Sequence, residues 1–289
     1  MSKLCLKKDK EFDLKDVITD VRISESGEIG LTLISKHSYG VILDSSGEII
    51  GKVRATSIMQ GMTYCCEKFG FIDSDGYVFI LNKEGEQITR FKTNSKFGSV
   101  ISMDEDGVLV CDMGCGFFDF DGRKKWEIDE GYIDVPPTKI EDYWYIADGL
   151  KSRIIITKDN GKIVESLKLD ESPVAIDACA TRLAVATYHK FYLFDVSKPV
   201  HPIEKKRWEI QQSRKSNIAF DPQCNLLALT IGSYLYIYDL GGIVASTRKF
   251  NDKISGIDWK GKIVLSLLKK GKIITLQQKN ISMSFLLSH

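Results

Sequence analysis

A turn signal that returns about every 40 residues constrains this chain more than any other feature. An apolar run ends in Asp, Asn or Thr, and a glycine usually follows within four residues. The six copies end at Asp44, Asn82, Asp119, Thr157, Asp195 and Asp239. Asp and Asn can bond to the backbone two residues on, and glycine accepts the positive φ of a tight hairpin. The signal therefore predicts six similar β-hairpins.

The segments around these hairpins predict units of four strands. Runs such as residues 226–229 are continuously apolar, as in a strand covered on both faces, whereas the segment after each turn mixes charged and single apolar residues. No long stretch carries a helical period. Seven units open at Ile18, Ile58, Val100, Ile133, Val174, Ile218 and Ile254. The prediction is an all-β fold, a seven-bladed β-propeller of four-stranded antiparallel blades, as a single domain over residues 1–289.

The last unit, residues 254–279, supplies only three strands. Its fourth strand could come from residues 4–14 or from the tail, residues 281–288. Closure is expected because an unpaired sheet edge invites aggregation. We favour the N-terminal strand as the one that closes the ring.

Composition narrows the functional classes. The net charge of +1 argues against a dedicated nucleic-acid binder, which usually carries a basic excess. The N-terminus lacks the apolar run of a secretory signal, and no stretch reaches the roughly 18 apolar residues of a membrane span. We therefore expect a cytoplasmic protein without a membrane partner. The acidic turns at residues 73–76 and 104–107 lack the further ligands of a calcium loop, so no metal is expected there. No cofactor is expected either.

The seven cysteines are an odd number at spacings that do not repeat, which favours reduced thiols in the core. Cys111 and Cys115 flank a hairpin, so a cross-hairpin disulfide is the alternative for that pair. Cys65 and Cys66 are adjacent, and neighbouring strand residues point to opposite faces of a sheet. No zinc site is expected, because no second pair with suitable spacing exists.

Two segments resemble the repeats of known propellers. Residues 217–229, Asn-Ile-Ala-Phe-Asp-Pro-Gln-Cys-Asn-Leu-Leu-Ala-Leu, followed by Leu-Tyr-Ile-Tyr-Asp-Leu at 235–240, resemble a WD40 repeat, although the Trp-Asp and Gly-His pairs of that family are absent. Residues 119–126, Asp-Phe-Asp-Gly-Arg-Lys-Lys-Trp, resemble the repeat of quinoprotein-type propellers. The resemblance implies a WD40-like ring that serves as a scaffold for protein partners.

Charge is distributed unevenly along the chain. Residues 102–149 hold 13 acids and 4 bases, a net −9, whereas residues 248–279 hold 9 bases and 2 acids, a net +7. Fields of one sign steer and orient partners. In a propeller, loops between the second and third strands should share one rim with the linkers between blades. The partner-binding residues predicted on this rim are Asp73, Asp75, Asp112, Asp148, Lys151, Tyr188, His189, Lys190, Arg214, Lys215, Lys269 and Lys270, with Tyr132 beside them.

Three functional hypotheses follow. The first is a non-enzymatic, cytoplasmic scaffold whose rim binds a protein partner. The second is a nucleic-acid contact through the basic C-terminal blades, at Arg214, Lys215, Arg248, Lys249, Lys269 and Lys270, which added salt should weaken. The third is a small-ligand-binding or hydrolytic propeller that uses the central channel, where the first strands offer Asp20, Met62, Asp177 and Asp258.

Overall fold

A computed structural model describes residues 4–95, 99–210 and 216–279 of the chain. Within these ranges the chain forms 28 β-strands and no helix, so no helical membrane span occurs there. The strands make seven four-stranded antiparallel sheets, which are arranged as the blades of a ring. The predicted all-β, seven-bladed propeller is confirmed.

The blades follow the chain order, and the first strand of each lies innermost. Blade 7 is β26 (Ile254–Lys260), β27 (Lys262–Leu267) and β28 (Lys272–Lys279), with β1 (Cys5–Asp13) outermost. Blade 1 is β2 (Val17–Ile23), β3 (Ile29–Ile34), β4 (Ser38–Leu43) and β5 (Ile49–Arg54). Blade 2 is β6 (Met59–Cys65), β7 (Lys68–Asp73), β8 (Tyr77–Asn82) and β9 (Gln87–Lys92). Blade 3 is β10 (Val100–Met103), β11 (Gly107–Cys111), β12 (Cys115–Asp119) and β13 (Lys124–Ile128).

The remaining three blades have the same arrangement. Blade 4 is β14 (Thr138–Ile140), β15 (Tyr143–Asp148), β16 (Arg153–Lys158) and β17 (Ile163–Lys168). Blade 5 is β18 (Pro173–Cys179), β19 (Arg182–Thr187), β20 (Lys190–Asp195) and β21 (Ile203–Glu209). Blade 6 is β22 (Ser216–Phe220), β23 (Leu226–Ile231), β24 (Tyr234–Asp239) and β25 (Val244–Lys249).

The repeated turn signal forms the hairpins between third and fourth strands. In blade 1 the carboxylate of Asp44 accepts hydrogen bonds from the backbone N–H groups of Ser46, Gly47 and Glu48, at 2.8 to 3.0 Å. Gly47 has a φ of 97°, a conformation that favours glycine. In blades 1 to 6 the pairing register shifts once between the third and fourth strands, close to the turn. Local turn chemistry thus sets the repeat.

The N-terminal strand closes the ring, as favoured above. β1 pairs antiparallel with β28 from Cys5 opposite Lys279 to Asp13 opposite Lys272, with one bulge. The backbone N–H of Leu14 then donates to the carbonyl oxygen of Gly271 at 2.9 Å. The alternative strand, residues 281–288, lies outside the described residues. Because β1 and β2 are consecutive, this pairing ties blade 7 to blade 1.

Aromatic residues of one outer strand cover the turn glycine of the next blade. Phe12, Phe91, Trp126 and Trp208 lie against Gly47, Gly122, Gly161 and Gly242, respectively. A methyl group on Gly161 would come within 2.8 Å of the Trp126 ring. The first two blades meet still more closely, because a methyl group on Gly51 would lie 2.5 Å from the Gly85 Cα. Glycine at these positions is therefore also a packing requirement between blades.

The hydrophobic core lies between neighbouring blades. One cluster joins blade 4 and blade 5, with Tyr145 and Ile156 on one side and Leu183 and Tyr192 on the other. Second strands are covered on both faces, as residues 183–186 of β19 show with no exposed surface. The continuous apolar runs in the sequence reflect this burial from two sides.

Two cysteine pairs are disulfide-bonded, so the expectation of reduced core thiols is wrong for them. Cys111 and Cys115 face each other across β11 and β12 with Cα atoms 4.1 Å apart. Cys179 at the end of β18 bonds to Cys224 in the β22–β23 turn, with Cα atoms 5.6 Å apart. The second pair is 45 residues apart in sequence and meets only because blades 5 and 6 stack.

Candidate functional site

One face of the ring carries the linkers between blades and the loops between second and third strands. Backbone hydrogen bonds join the two sets: Ser74 N–H donates to the carbonyl of Ile58 at 2.8 Å, and Gly149 N–H donates to that of Tyr132 at 2.9 Å. We call this surface the linker face. Its described linkers are residues 14–16, 55–58, 93–95, 129–137, 169–172 and 250–253, and its loops are residues 35–37, 74–76, 112–114, 149–152, 188–189, 232–233 and 268–271.

Asp73 belongs to the predicted binding residues, but its side chain is fully buried under this face. One carboxylate oxygen accepts hydrogen bonds from the N–H and the hydroxyl of Thr56 at 2.9 and 2.6 Å. The other accepts from the N–H groups of Asp75 and Tyr77. Asp73 therefore fixes a linker to a loop and is not accessible to a partner, whereas Asp75 is exposed.

Asp148 has the same function two blades further on, and it is also fully buried. It accepts hydrogen bonds from the N–H groups of Tyr132 and Lys151 at 3.2 and 3.3 Å, and from Nε of Arg153 at 2.9 Å. Burial alone would raise the pKa of Asp148, but Arg153 and the two N–H groups hold that pKa below its usual value. The carboxylate thus stays ionised and orders the loop around Tyr132.

The other described members of the predicted set lie at the surface of the linker face. Lys151 is exposed and pairs with Glu130 at 3.0 Å. The Nδ1 of His189 lies 3.1 Å from a Glu171 carboxylate oxygen, and Lys190 pairs with Asp170 at 2.7 Å. The remaining four are Asp112, which is half-buried, and Tyr188, Lys269 and Lys270, which are exposed. Arg214 and Lys215 lie outside the described residues.

Sequence reasoning missed the two most exposed apolar side chains of this face, Met113 at 67 % and Leu150 at 74 %. It did name Tyr132 and Tyr188, which are 46 % and 37 % exposed in the same part of the face. We call these four residues the apolar arc. Each occupies a loop or linker of blades 3 to 5, where turn propensity says nothing about exposure.

Hydrogen bonds join the loops and linkers that carry the apolar arc. Asp112, beside Met113, accepts a backbone hydrogen bond from Ile133, and Tyr132 accepts one from Gly149, beside Leu150. The Ser172 hydroxyl donates to the Gly149 carbonyl at 2.8 Å. The neighbouring Glu171 accepts from the Thr187 hydroxyl and from the N–H of His189, so Tyr188 lies between two anchored residues. The arc is therefore held in place by the fold rather than carried on free loops.

The opposite side of the linker face is basic. Lys36, Arg54, Lys253, Lys269 and Lys270 are all exposed there, on blades 7 and 1 and their linkers. A depression of about 320 Å³ lies between residues 34–38 and residues 54–58. Near the apolar arc the exposed residues Asp129 and Asp134 carry negative charge instead. The uneven charge of the sequence therefore becomes a gradient across one surface.

The basic residues of the nucleic-acid hypothesis are divided between surfaces. Arg248 and Lys249 lie on the outer strand β25, where Arg248 stacks over Phe250 at 5.5 Å and Lys249 over Tyr234 at 5.4 Å. Lys269 and Lys270 lie on a loop of blade 7, and their N–H groups donate to Asp252. The described members thus form no single stripe.

The central channel contains a cluster of charged groups. Asp20, Asp177 and Asp258 converge there, as the channel hypothesis requires, and they surround Arg22, which sequence reasoning omitted. Arg22 donates to Asp20 at 2.8 Å. Met62 does not join them, because it packs between blades 1 and 2 and is 1 % exposed. Burial raises the pKa of Asp177 to about 6 and also raises the pKa of Asp20.

These channel carboxylates also join blades. Asp177 accepts a hydrogen bond from the N–H of Phe220 in blade 6 at 2.8 Å, and Asp258 accepts one from Ile23 in blade 1 at 2.9 Å. No described serine, cysteine or histidine side chain is hydrogen-bonded to the cluster. Among the described residues, no group of three or more His, Cys, Asp or Glu is arranged to hold a metal ion. The cluster therefore joins neighbouring blades. In the described part of the chain it includes no nucleophilic side chain paired with a general base.

Comparison with known proteins supports the fold. The structure is similar to the β-propeller domain of Cps50 (Swd1) from Myceliophteria thermophila, with a TM-score of 0.75 at 11 % identity over 94 % of this chain and 99 % of the other. It is also similar to BamB from Moraxella catarrhalis, with a TM-score of 0.70 at 12 % identity over 94 % of this chain and 100 % of the other. No family model and no curated protein sequence matches the chain. At such identities the likeness concerns the propeller fold alone.

Proposed function

We propose that this chain is a non-enzymatic scaffold that binds a protein partner through the linker face, with the apolar arc at the centre of the contact. The observation that carries the proposal is the exposure of Met113, Tyr132, Leu150 and Tyr188 on neighbouring loops and linkers of one face. Contiguous exposed apolar side chains typically mark interaction sites, and Met and Tyr are enriched at the centres of interfaces. The structural likeness to the Swd1 propeller is compatible with this function.

Rigidity supports the same function. The buried carboxylates of Asp73 and Asp148 fix linkers to loops, so a partner would meet a surface that is already ordered. Preorganised surfaces bind more tightly because less conformational entropy is lost. The exposed Asp129 and Asp134 favour basic side chains at the edge of the contact. We therefore propose a partner that combines apolar and basic side chains.

Affinity purification of the tagged chain from its native source at low salt tests this function. We expect Leu150→Asp to reduce recovery of the partner, since truncating a central contact typically costs about 2 kcal/mol, roughly 30-fold in affinity. Ile243→Asp is the matched control, because Ile243 is also exposed, at 50 %, but lies on an outer hairpin. Equal recovery with the wild-type chain and both variants contradicts the proposal. Recovery that nuclease treatment abolishes would favour nucleic acid instead.

Charge reversal provides a second test of the same face. The double substitution Lys269→Glu and Lys270→Glu reverses the charge on the basic side of the face. The hydrogen bonds of these two residues to Asp252 come from their backbone N–H groups, so the substitution removes neither of them. Charges at the rim of an interface act mainly on the association rate. Because the proposed partner carries basic side chains, we expect faster association that depends on salt, and an unchanged rate would restrict the contact to the apolar arc.

The channel supports a second candidate, a site for a small cationic ligand. The supporting observation is the convergence of Asp20, Asp177 and Asp258, which outnumber Arg22. Spermidine and arginine are suitable probes, tested by the shift in unfolding temperature. An equal shift in the wild-type protein and in Asp20→Ala would remove this candidate.

Cytoplasmic location stays a proposal, and the disulfides make it testable. Disulfides are rare in the cytosol, where thiols are kept reduced. The Cys179–Cys224 disulfide of the structure would be open to reduction there, so recovery of both residues as thiols from rapidly alkylated cell extracts would support a cytoplasmic location. Recovery as the disulfide would place the chain in an oxidising compartment.

A further inference from the structure

The turn between β6 and β7 brings two adjacent thiols together. Cys65 ends β6, and Cys66 and Glu67 follow with φ values of 52° and 62°. In an extended strand the two side chains would point to opposite faces. The left-handed backbone at Cys66 reverses the chain instead, and the two Sγ atoms lie 2.8 Å apart.

The two thiols differ in accessibility. Cys66 is exposed and Cys65 is half-buried. Burial, reinforced by the neighbouring Cys66 thiol, raises the pKa of Cys65 to about 12. Since the thiolate is the reactive form, Cys65 is a poor first nucleophile at neutral pH. An oxidant therefore meets Cys66 first, with Cys65 already in contact behind it.

We propose that Cys65 and Cys66 form a reversible oxidation site, which a hydroperoxide converts to a disulfide between adjacent residues. The Cys66 sulfur attacks the peroxide, the O–O bond breaks, and Cys66 becomes a sulfenic acid while the alcohol or water leaves. The Cys65 sulfur then attacks Cys66, the S–O bond breaks, and the S–S bond forms as water carries away the Cys65 proton. Two thiols lose two electrons in total, and the peroxide gains them. Exposed thiols with a resolving cysteine beside them react in this way.

Adjacency makes such a bond easy to reduce. The described residues have no cis peptide bond, so the Cα atoms of Cys65 and Cys66 are about 3.8 Å apart. Ordinary disulfides span at least about 4.4 Å between Cα atoms. A disulfide forced below that span is strained, and strained, exposed disulfides are the labile ones. The pair is therefore suited to reversible oxidation and contrasts with Cys179–Cys224, at 5.6 Å.

The turn lies on the face opposite the linker face. The backbone N–H of Lys83, in the β8–β9 hairpin, donates to the carbonyl oxygen of Glu67 at 3.0 Å, which anchors the turn within blade 2. Oxidation of this thiol pair can therefore be tested separately from partner binding at the apolar arc.

Peptide mapping after treatment of the full-length protein with hydrogen peroxide tests the site. Trypsin cleavage after Arg54 and Lys68 releases residues 55–68, which contain both thiols and no other cysteine. We expect this peptide to lose two hydrogen masses and to resist alkylation, and dithiothreitol should restore two alkylated cysteines. Cys66→Ser and, separately, Cys65→Ser should abolish the loss.

Cys5→Ser is the matched control, because Cys5 is exposed but has no thiol neighbour in the described residues. It should leave the mass loss unchanged. The proposal is overturned if Cys66 proceeds to the sulfinic acid while Cys65 remains open to alkylation. A bond from Cys66 to Cys5 would overturn it as well.

Discussion

The substitution Asp148→Ala tests how the fold orders the linker face. It removes a fully buried carboxylate that accepts hydrogen bonds from Tyr132, Lys151 and Arg153. Breaking a buried ion pair costs about 3 to 5 kcal/mol. Arg153 keeps a second partner, Glu130 at 2.8 Å, so we expect the low end of that range. The free energy of unfolding should fall by about 3 kcal/mol, seen in urea as a lower midpoint with an unchanged slope.

The pH dependence of this effect follows from the lowered pKa of Asp148. A group whose pKa is lower in the folded protein contributes stability above its unfolded pKa and loses it as pH falls. The difference between wild type and Asp148→Ala should therefore shrink below the ordinary aspartate pKa, about 3.9. Asp121→Ala is the control, because Asp121 is exposed and pairs with the exposed Arg123, at 3.1 Å. Equal midpoints for wild type and Asp148→Ala, or a difference that does not change with pH, would show that the Asp148 carboxylate does not stabilise the fold through these hydrogen bonds.

Three further predictions concern the ring. Because burial raises the pKa of Asp177 to about 6, its contribution to stability is present below the unfolded pKa and is lost as pH rises through 6. Relative to Asp177→Ala, the wild type should lose up to about 3 kcal/mol between acid and neutral pH in urea titrations, and parallel curves would disprove this. Gly51→Ala should lower the unfolding temperature more than Gly61→Ala, because its methyl group meets the Gly85 backbone whereas the atoms nearest the other lie 3.8 Å away. Equal shifts would show that this seam is not tightly packed. Deleting residues 1–13 exposes the β28 edge, so light scattering should detect association, and a stable monomer would contradict closure by β1.

Much of the fold could be predicted because its signals are local. Asp44 and Gly47 specify a hairpin through their own backbone and nearest neighbours, and the same pattern recurs in the other blades. Blade number and the side of the ring on which each loop lies then follow from counting strands. For this reason the linker face was expected from the sequence, including exposed members such as Lys151 and Lys270.

What could not be predicted depends on contacts between distant segments. Asp73 and Asp75 are two residues apart, yet only Asp73 is buried, because Thr56 from the preceding linker covers it. The exposure of Leu150 also depends on distant segments, because whether any of them covers this side chain is decided only by the folded ring. Arg22 was missed because its channel position becomes visible only when the first strands are aligned around the axis.

Site-specific photo-crosslinking in the native source shows whether a protein partner contacts the apolar arc, as we propose. A photoreactive amino acid would replace Leu150, and in a parallel sample Ile243, the exposed residue on the outer hairpin. We predict that one defined protein is cross-linked from position 150 and that this product is absent from position 243. No cross-linked protein at position 150, or the same products from both positions, would mean that the apolar arc is not the contact surface.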